Sequence, residues 1–252
     1  MQNGVVLLHG FLGGPESLLS VVESTHPQIS YFSPELYGHA GFREPEPLLN
    51  FEDEASRIGR LIRRQFGSRR VHLVGYSLGG RLALSLLIRD PALFHSATLI
   101  SARRGLDTTV EREQRQEADL HWALRLRTEP LSEFLDAWEK QPIFSSMRQI
   151  DPERLRALRE QRLKHDPEGL AQALVGLSLS RMPGYASELA DVLVPVALVY
   201  GAFDEKFLEL GQDLASRLPY SKTVVVEGSG HNLPFECPDA VAPVIAEGMN
   251  HD

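Results

Sequence analysis

The fold of this chain is indicated by ten residues, VHLVGYSLGG, at positions 71–80. Residues 71–74 predict a buried strand and residues 78–89 predict a helix. Between them the chain has the pattern G-x-S-x-G, with the serine at position 77. Its glycines permit a sharp turn that projects the Ser77 hydroxyl at the carboxyl edge of a sheet. Ser77 is therefore the candidate catalytic serine, and a glycine-rich helix start without chemistry is the alternative.

A catalytic serine needs a base, and the base needs a carboxylate that orients it. In chain order after a G-x-S-x-G turn, the acid comes before the histidine. Asp204 follows the apolar run at 196–200, and His231 follows a predicted strand at 222–226. Both positions lie at carboxyl ends of strands, where ligands bind in open α/β sheets. We predict a triad of Ser77, Asp204 and His231, with Glu205 as the rival acid.

Two backbone amides are expected to form an oxyanion hole. One belongs to Leu78, the residue after the serine, and the other to Phe11, in the loop after a predicted strand at 5–8. His9, in the same loop, is expected to hold the loop in place.

Working outward from this motif, strands and helices alternate along the chain. Further strands are predicted at 29–32, 97–100 and 192–200, and further helices at 51–66, at 207–218 and from about 240. This alternation predicts an α/β fold with a mainly parallel sheet covered by helices on both faces. Residues 103–185 have no clear strand pattern and predict several helices. We expect one domain over 1–252 with a helical cap inserted at about 103–185.

Composition excludes several classes of protein. The net charge of −8 argues against a general nucleic-acid binder. The longest apolar run has five residues, whereas a membrane span needs about 20. The single Cys237 favours a reducing cytoplasmic location, and the first residues show no secretory signal pattern. No clustered Cys/His set and no phosphate-binding glycine fingerprint are present, so we expect neither a metal nor an organic cofactor.

Arginine is concentrated in the predicted cap. Eleven of the 22 arginines fall between residues 103 and 162, where acids interleave with them at helical spacing. Most of these arginines are therefore expected to form ion pairs on a solvated surface. Arg81 differs, because it lies one helical turn after Ser77 and on the same side. A guanidinium at this position predicts an anionic substrate, since arginine binds carboxylates bidentately.

These features resemble the α/β-hydrolase superfamily across nearly the whole chain. The chain is also similar to one particular family, the 2-succinyl-6-hydroxy-2,4-cyclohexadiene-1-carboxylate synthases of menaquinone biosynthesis. The similarity is carried by GYSLGGR at 75–81, residues 112–122 with EPL at 129–131, Trp138 with QPIF at 141–144, DEKF at 204–207, and GHN at 230–232 followed by Glu236 and Pro238.

The resemblance implies a lyase that eliminates pyruvate from a small substrate bearing several carboxylates. Ser77, activated by His231 and Asp204, would remove a ring proton, and the oxyanion hole would stabilise the developing negative charge. By the same resemblance, the substrate-binding residues are Tyr76, Arg81, Arg115, Trp138, Arg159 and Lys206.

Two segments depart from the family pattern. Residues 37–41 are YGHAG where the family usually has PGHG, and residues 103–106 are RRGL where it usually has Pro before Gly-Leu. Both border the expected pocket, so they leave the exact substrate open.

Two other functions remain open at this point. One is a serine hydrolase of a small ester, thioester or carbon-carbon bond, with Ser77 as the nucleophile. The other is a noncatalytic protein that binds an anionic ligand. The patterns do not determine an oligomeric state.

Overall fold

The computed structural model describes residues 4–24, 29–41 and 50–250. A six-stranded sheet lies at its centre, in the order β2-β1-β3-β4-β5-β6, and every neighbouring pair is parallel. The predicted α/β fold is thereby confirmed. The strands are β1 (Gly4–Leu8), β2 (Ser30–Phe32), β3 (Val71–Tyr76), β4 (Phe94–Ile100), β5 (Val196–Gly201) and β6 (Ser221–Val226).

Helices connect and cover these strands. They are α1 (Leu19–Glu23), α2 (Phe51–Phe66), α3 (Leu78–Arg89), α4 (Thr109–Thr128), α5 (Leu131–Trp138), α6 (Pro152–Arg162), α7 (Pro167–Gly176), α8 (Glu205–Ala215), α9 (Leu233–Glu236) and α10 (Pro238–Met249). In the described ranges, no helix is both long and apolar enough to cross a membrane.

The central strands of the sheet are buried on both faces, as is typical of parallel sheets, whereas β2 and β6 at the edges are partly exposed. Ile58 of α2, Leu82 of α3 and Leu214 of α8 belong to the core on one face. Val21 of α1 and Ile245 of α10 belong to the core on the other face. Strands β1 and β5 are buried along their whole length, which explains why their sequences are continuous apolar runs rather than alternating patterns.

Local sequence signals fix the bounds of α2. Its N-cap is Asn50, whose side chain accepts hydrogen bonds from the amides of Glu52 and Asp53. The helix ends at Phe66, and its C-cap is Gly67, which has φ 63°. Only a residue without a Cβ adopts this conformation at no cost, so the predicted helix stops where the glycine occurs.

Several boundaries differ from the sequence expectation. The strand expected at 192–200 begins only at Val196, because Glu188–Asp191 forms a 3-10 turn and Pro195 has no amide to donate to the sheet. Strand β4 begins three residues before position 97, because the Pro91–Leu93 turn leads directly into it. Helix α8 begins at Glu205 rather than 207, because the Asp204 carbonyl already accepts the first helical hydrogen bond, from the Leu208 amide. The same helix ends at Ala215 rather than 218.

Helices α4, α5, α6 and α7 all lie between β4 and β5 in the chain, and α4, α5 and α7 share a small core of their own. Phe134 and Leu170 are fully buried in it. Leu12, from the loop after β1, packs into the same core. These four helices, which we call the cap, are thereby joined to the loop that was expected to supply an oxyanion amide.

Candidate active site

Ser77 lies in a strained turn between β3 and α3. Its backbone has φ 50° and ψ −104°, outside the regions that residues with a Cβ ordinarily adopt. Two hydrogen bonds hold it there: its amide donates to the Ile100 carbonyl at 2.9 Å, and its carbonyl accepts from the Arg81 amide at 3.0 Å. A Cβ added at Gly79 would lie 2.0 Å from the Leu8 carbonyl oxygen, so only glycine lets this turn pack against β1.

His231 lies within hydrogen-bonding distance of both Ser77 and Asp204. Ser77 Oγ lies 3.0 Å from His231 Nε2, and His231 Nδ1 lies 2.7 Å from Asp204 Oδ2. Because Asp204 is an acceptor only, Nδ1 carries a proton and Nε2 can accept the serine proton. Both His231 and Asp204 are buried, whereas the rival acid Glu205 is exposed. The arrangement suits proton abstraction or nucleophilic attack by Ser77.

The loop that carries His231 is held by groups to which the sequence motifs assigned no role. The buried Glu236 carboxylate accepts from the amides of Gly230 at 2.8 Å and Asn232 at 2.9 Å, on either side of the histidine. Ser101 Oγ donates to the His231 carbonyl at 2.9 Å. An acid a few residues after a Gly-His pair is the signal that could have indicated this role of Glu236.

The two expected oxyanion amides lie beside the serine turn and in the loop after β1. Leu78 is the first residue of α3, and amides in the first turn of a helix have no intrahelical acceptor. In the other loop, Leu12 donates to His39 Nε2 at 3.3 Å and Gly13 donates to the Gly10 carbonyl at 3.1 Å. The Phe11 amide is left without an acceptor among the described residues.

Two buried histidines hold this loop in its conformation. His9 Nδ1 donates to the Gly10 carbonyl at 2.9 Å, and His9 Nε2 accepts from the Leu36 amide at 3.2 Å. His39 accepts from Leu12 as described above, and its ring lies 5.0 Å from that of His9. Burial lowers the pKa of His9 to about 4 and lowers the pKa of His39 well below its usual value. Both rings are therefore neutral at pH 7, as their acceptor roles require.

A third histidine links the cap to the segment at 37–41. His165 belongs to none of the sequence motifs, and it lines the cavity described next. Its Nδ1 accepts from the Ala40 amide at 3.1 Å, and its ring lies 5.7 Å from that of His39. The backbone of Ala40 has φ 47°, which lies in the left-handed region that residues with a Cβ rarely adopt.

A cavity of about 1300 Å³ lies between Ser77 and the cap. Tyr76 and Trp138, both expected at the site, line it. The Trp138 ring lies 5.0 Å from that of Phe11, and the Tyr76 ring lies 5.8 Å from that of His231. Burial raises the pKa of Tyr76, so its hydroxyl stays protonated.

The described wall of this cavity is positively charged, although the chain as a whole has a net charge of −8. Seven basic side chains line it against four acidic ones. The basic residues are Arg81, Arg103, Arg115, Arg154, Arg162, Lys164 and Lys206, and the acidic residues are Glu16, Asp119, Asp204 and Glu205. The cavity therefore favours an anionic occupant.

Three of the expected binding residues, Arg81, Arg115 and Lys206, are among these cavity cations. Arg81 Nη1 donates to the Leu177 carbonyl at 3.1 Å, and Arg115 Nε donates to Asp119 at 2.9 Å. Burial, followed by repulsion from Arg115, lowers the pKa of Arg81. The guanidinium nevertheless stays protonated, because it is too basic to lose its proton at neutral pH. Lys206 is exposed at the rim.

Arg159 does not line the described cavity, contrary to the expectation from the family resemblance. Its guanidinium lies 2.7 Å from Asp136 and 3.2 Å from Glu139, so it is turned toward α5. Arg162, at the end of the same helix, lines the cavity instead. Its side chain is 8% exposed and pairs with Glu139 at 2.9 Å, and its buried Nε has no acceptor among the described residues.

A model described as the alpha/beta hydrolase family matches residues 5–244 of the chain. The protein therefore belongs to this family, in agreement with the parallel sheet and the serine turn.

More particular relatives share nearly the full length. A putative 2-succinyl-6-hydroxy-2,4-cyclohexadiene-1-carboxylate synthase of Bacillus subtilis (strain 168) is 30% identical over 249 residues, which cover 98% of this chain and 90% of that protein. The synthase of Salmonella agona (strain SL483) is 32% identical over 243 residues, covering 96% and 92%. The resemblance seen in the sequence motifs is thus confirmed.

Solved structures of proteins with the same fold are also similar to this chain over nearly its whole length. MenH from S. aureus superposes with a TM-score of 0.92 at 26% identity, covering 98% of this chain and 93% of that one. A thermophilic esterase from Thermogutta terrifontis superposes with a TM-score of 0.85 at 23% identity, covering 100% and 92%. The esterase match shows the shared fold alone.

Proposed function

We propose that this protein is a lyase that eliminates pyruvate from 2-succinyl-5-enolpyruvyl-6-hydroxy-3-cyclohexene-1-carboxylate to give 2-succinyl-6-hydroxy-2,4-cyclohexadiene-1-carboxylate. The observation that carries the proposal is a serine-histidine-aspartate set beside a cavity with an excess of arginine and lysine. The substrate carries several carboxylates, so it complements that wall. The synthase relatives support the same reaction.

The chemistry starts at the ring carbon that bears the succinyl group, because the adjacent ketone makes its proton acidic. Ser77 Oγ takes this proton while its own proton passes to His231 Nε2, 3.0 Å away. The imidazolium that forms is stabilised by the buried Asp204 carboxylate. The amides of Phe11 and Leu78 then stabilise the charge that develops on the ketone oxygen.

The electron pair released at that carbon moves through the ring double bond and expels the enolpyruvyl group. A ring diene forms, the carbon-oxygen bond to the leaving group breaks, and the proton held by His231 returns to the enolpyruvate, which becomes pyruvate. No acyl-enzyme and no water are needed. Ser77 in this scheme is a base rather than a nucleophile.

The carboxylates of the substrate are held by the cavity cations. Arg81 lies one helical turn from Ser77, and Arg115 lies on α4 of the cap. Arg162 takes the role that the resemblance gave to Arg159, because it lies on the cavity wall and retains a buried donor. Tyr76, Trp138 and Lys206 complete the binding surface. A cytoplasmic location stays a prediction.

The proposal is tested with the purified chain and the enolpyruvyl substrate made in situ. Pyruvate release and the absorbance of the new diene are followed above the spontaneous rate. We expect fast turnover, its loss in Ser77→Ala, and its retention in Ser20→Ala, which removes a hydroxyl at the cavity edge in α1.

No acceleration over the spontaneous rate would refute the lyase. If Ser77-dependent cleavage of a simple aryl ester were found instead, the protein would be a serine hydrolase. Ligand binding without either activity would indicate a binding protein.

A further inference from the structure

Arg103 is a cavity residue for which no role has been given so far. It follows Ser101 and Ala102 at the carboxyl end of β4 and lines the cavity. This backbone is rigidly held: the Ser101 amide donates to the Val199 carbonyl at 2.9 Å, and the Tyr200 hydroxyl donates to the Ala102 carbonyl at 2.9 Å. The arginine therefore projects from a fixed point beside the triad.

The guanidinium of Arg103 is only partly satisfied within the protein. Its Nη2 donates to the Gly105 carbonyl at 2.8 Å, which fixes the end of the side chain. Its Nε is buried and has no acceptor among the described residues. Leaving a buried charged donor without an acceptor is costly, and such groups in native proteins call for an explanation.

The acids whose charge acts on Arg103, Glu111 and Asp107, are engaged elsewhere, and so is Asp119 on the cavity wall. Asp119 accepts from Arg115 Nε and from the Ser178 hydroxyl, at 2.9 Å and 2.6 Å. Asp107 pairs with Arg104. Glu111 accepts from the amide and the hydroxyl of Thr108, at 2.9 Å each. In the part of the chain that the structure describes, Arg103 thus has no carboxylate partner.

Arg103 also belongs to a group of like charges. Burial and then repulsion from Arg115 lower the pKa of Arg103, and Arg103 in turn contributes to the lowered pKa of Arg81. The guanidinium groups of Arg81, Arg103 and Arg115 therefore lie near one another on the cavity wall, and of the acids that act on Arg81 and Arg103 only Asp119 also lines the cavity. The excess of two positive charges is the complement of a ligand with two carboxylates.

We propose that Arg103 binds a substrate carboxylate and forms, with Arg81 and Arg115, a three-arginine site for a dicarboxylate portion of the ligand. This inference rests on the proposed function, in which the cavity holds a substrate with several carboxylates. Arg103 selects for the second carboxylate, because Arg81 and Arg115 together with Asp119 leave only one uncompensated charge.

The test uses the full chain and four proteins: wild type, Arg103→Gln, Arg103→Lys and Arg104→Gln. Arg104 is a matched control, since it is the next residue and has the same charge but pairs with Asp107 and Asp213 outside the cavity wall. Binding of 2-oxoglutarate, a keto dicarboxylate, is measured by calorimetry, and KM and kcat are measured with the enolpyruvyl substrate. Thermal unfolding shows that each variant is folded.

In Arg103→Gln we expect 2-oxoglutarate to bind about ten- to a hundredfold more weakly, and KM to rise by a similar factor with kcat changed much less. Arg103→Lys should recover part of the binding, because it keeps the charge but loses the bidentate fork. Arg104→Gln should bind like the wild type.

Two results separate this inference from the proposed function. If the wild type released no pyruvate but still bound 2-oxoglutarate in an Arg103-dependent way, the lyase proposal would fail and the anion site would stand. If folded Arg103→Gln matched the wild type in both binding and KM, or if the wild type did not bind 2-oxoglutarate, the three-arginine site would be overturned.

Discussion

The strained backbone at Ser77 predicts that the proposed catalytic residue lowers the stability of the protein. A residue with a Cβ in a sparsely populated backbone region costs about 1–3 kcal/mol, and Ser77 is held in such a region by its hydrogen bonds to Ile100 and Arg81. Glycine relieves this strain, but its freedom in the unfolded chain costs about 0.5–1 kcal/mol. The free energy of unfolding of Ser77→Gly should therefore be about 1 kcal/mol higher than that of Ser77→Ala, which means that the glycine variant is the more stable one.

The comparison with alanine isolates the backbone effect. Both variants lose the hydroxyl and its hydrogen bond to His231, but only alanine keeps the strained Cβ. For a chain of this size, about 1 kcal/mol corresponds to a rise of about 2–4 °C in the melting temperature. Urea denaturation and thermal melts of the two variants measure the difference, and both should lack pyruvate release.

Ser56 supplies the control, because it lies inside α2, where glycine has no advantage. There Ser56→Gly should be about 1 kcal/mol less stable than Ser56→Ala. Glycine should thus be more stabilising than alanine at position 77 and less stabilising than alanine at position 56, as measured by the free energy of unfolding. If Ser77→Gly were less stable than Ser77→Ala, the strain argument would be refuted.

Three further predictions concern a buried histidine, the glycine of the serine turn and two arginines of α6. The pKa of His9 is about 4 when folded and about 6.5 when unfolded, so the unfolded chain takes up the proton first. The free energy of unfolding should therefore fall by about 3 kcal/mol as pH drops from 6.5 to 4; in His9→Asn this dependence should flatten, and an unchanged slope would contradict it. Gly79→Ala should lower the free energy of unfolding, measured by urea denaturation, by at least about 3 kcal/mol, because its Cβ would lie 2.0 Å from the Leu8 oxygen. A variant as stable as the wild type would contradict this steric argument. Arg162→Gln should raise KM about tenfold or more and Arg159→Gln by about threefold at most; the reverse order would restore Arg159 as the binding residue.

The sequence by itself determined the fold class and the order of its elements. The apolar runs of β1, β3 and β5, and the apolar periodicity of α2 between Asn50 and Gly67, are local patterns that the backbone obeys wherever it lies. The triad could be predicted for a related reason. In parallel sheets the carboxyl ends of the strands meet at one edge, so residues after three strands converge without knowledge of their contacts.

Only the tertiary structure decided which polar side chains enter the cavity and which are satisfied elsewhere. Arg159 and Arg162 lie three residues apart on one helix, and the position of Asp136 on α5 takes the first of them out of the cavity. Arg103 lines the cavity without a carboxylate partner among the described residues, because the nearby acids have other partners. Such outcomes depend on contacts between residues far apart in the chain, and burial makes those contacts decisive, since a buried polar group must find its partner in whatever element packs against it.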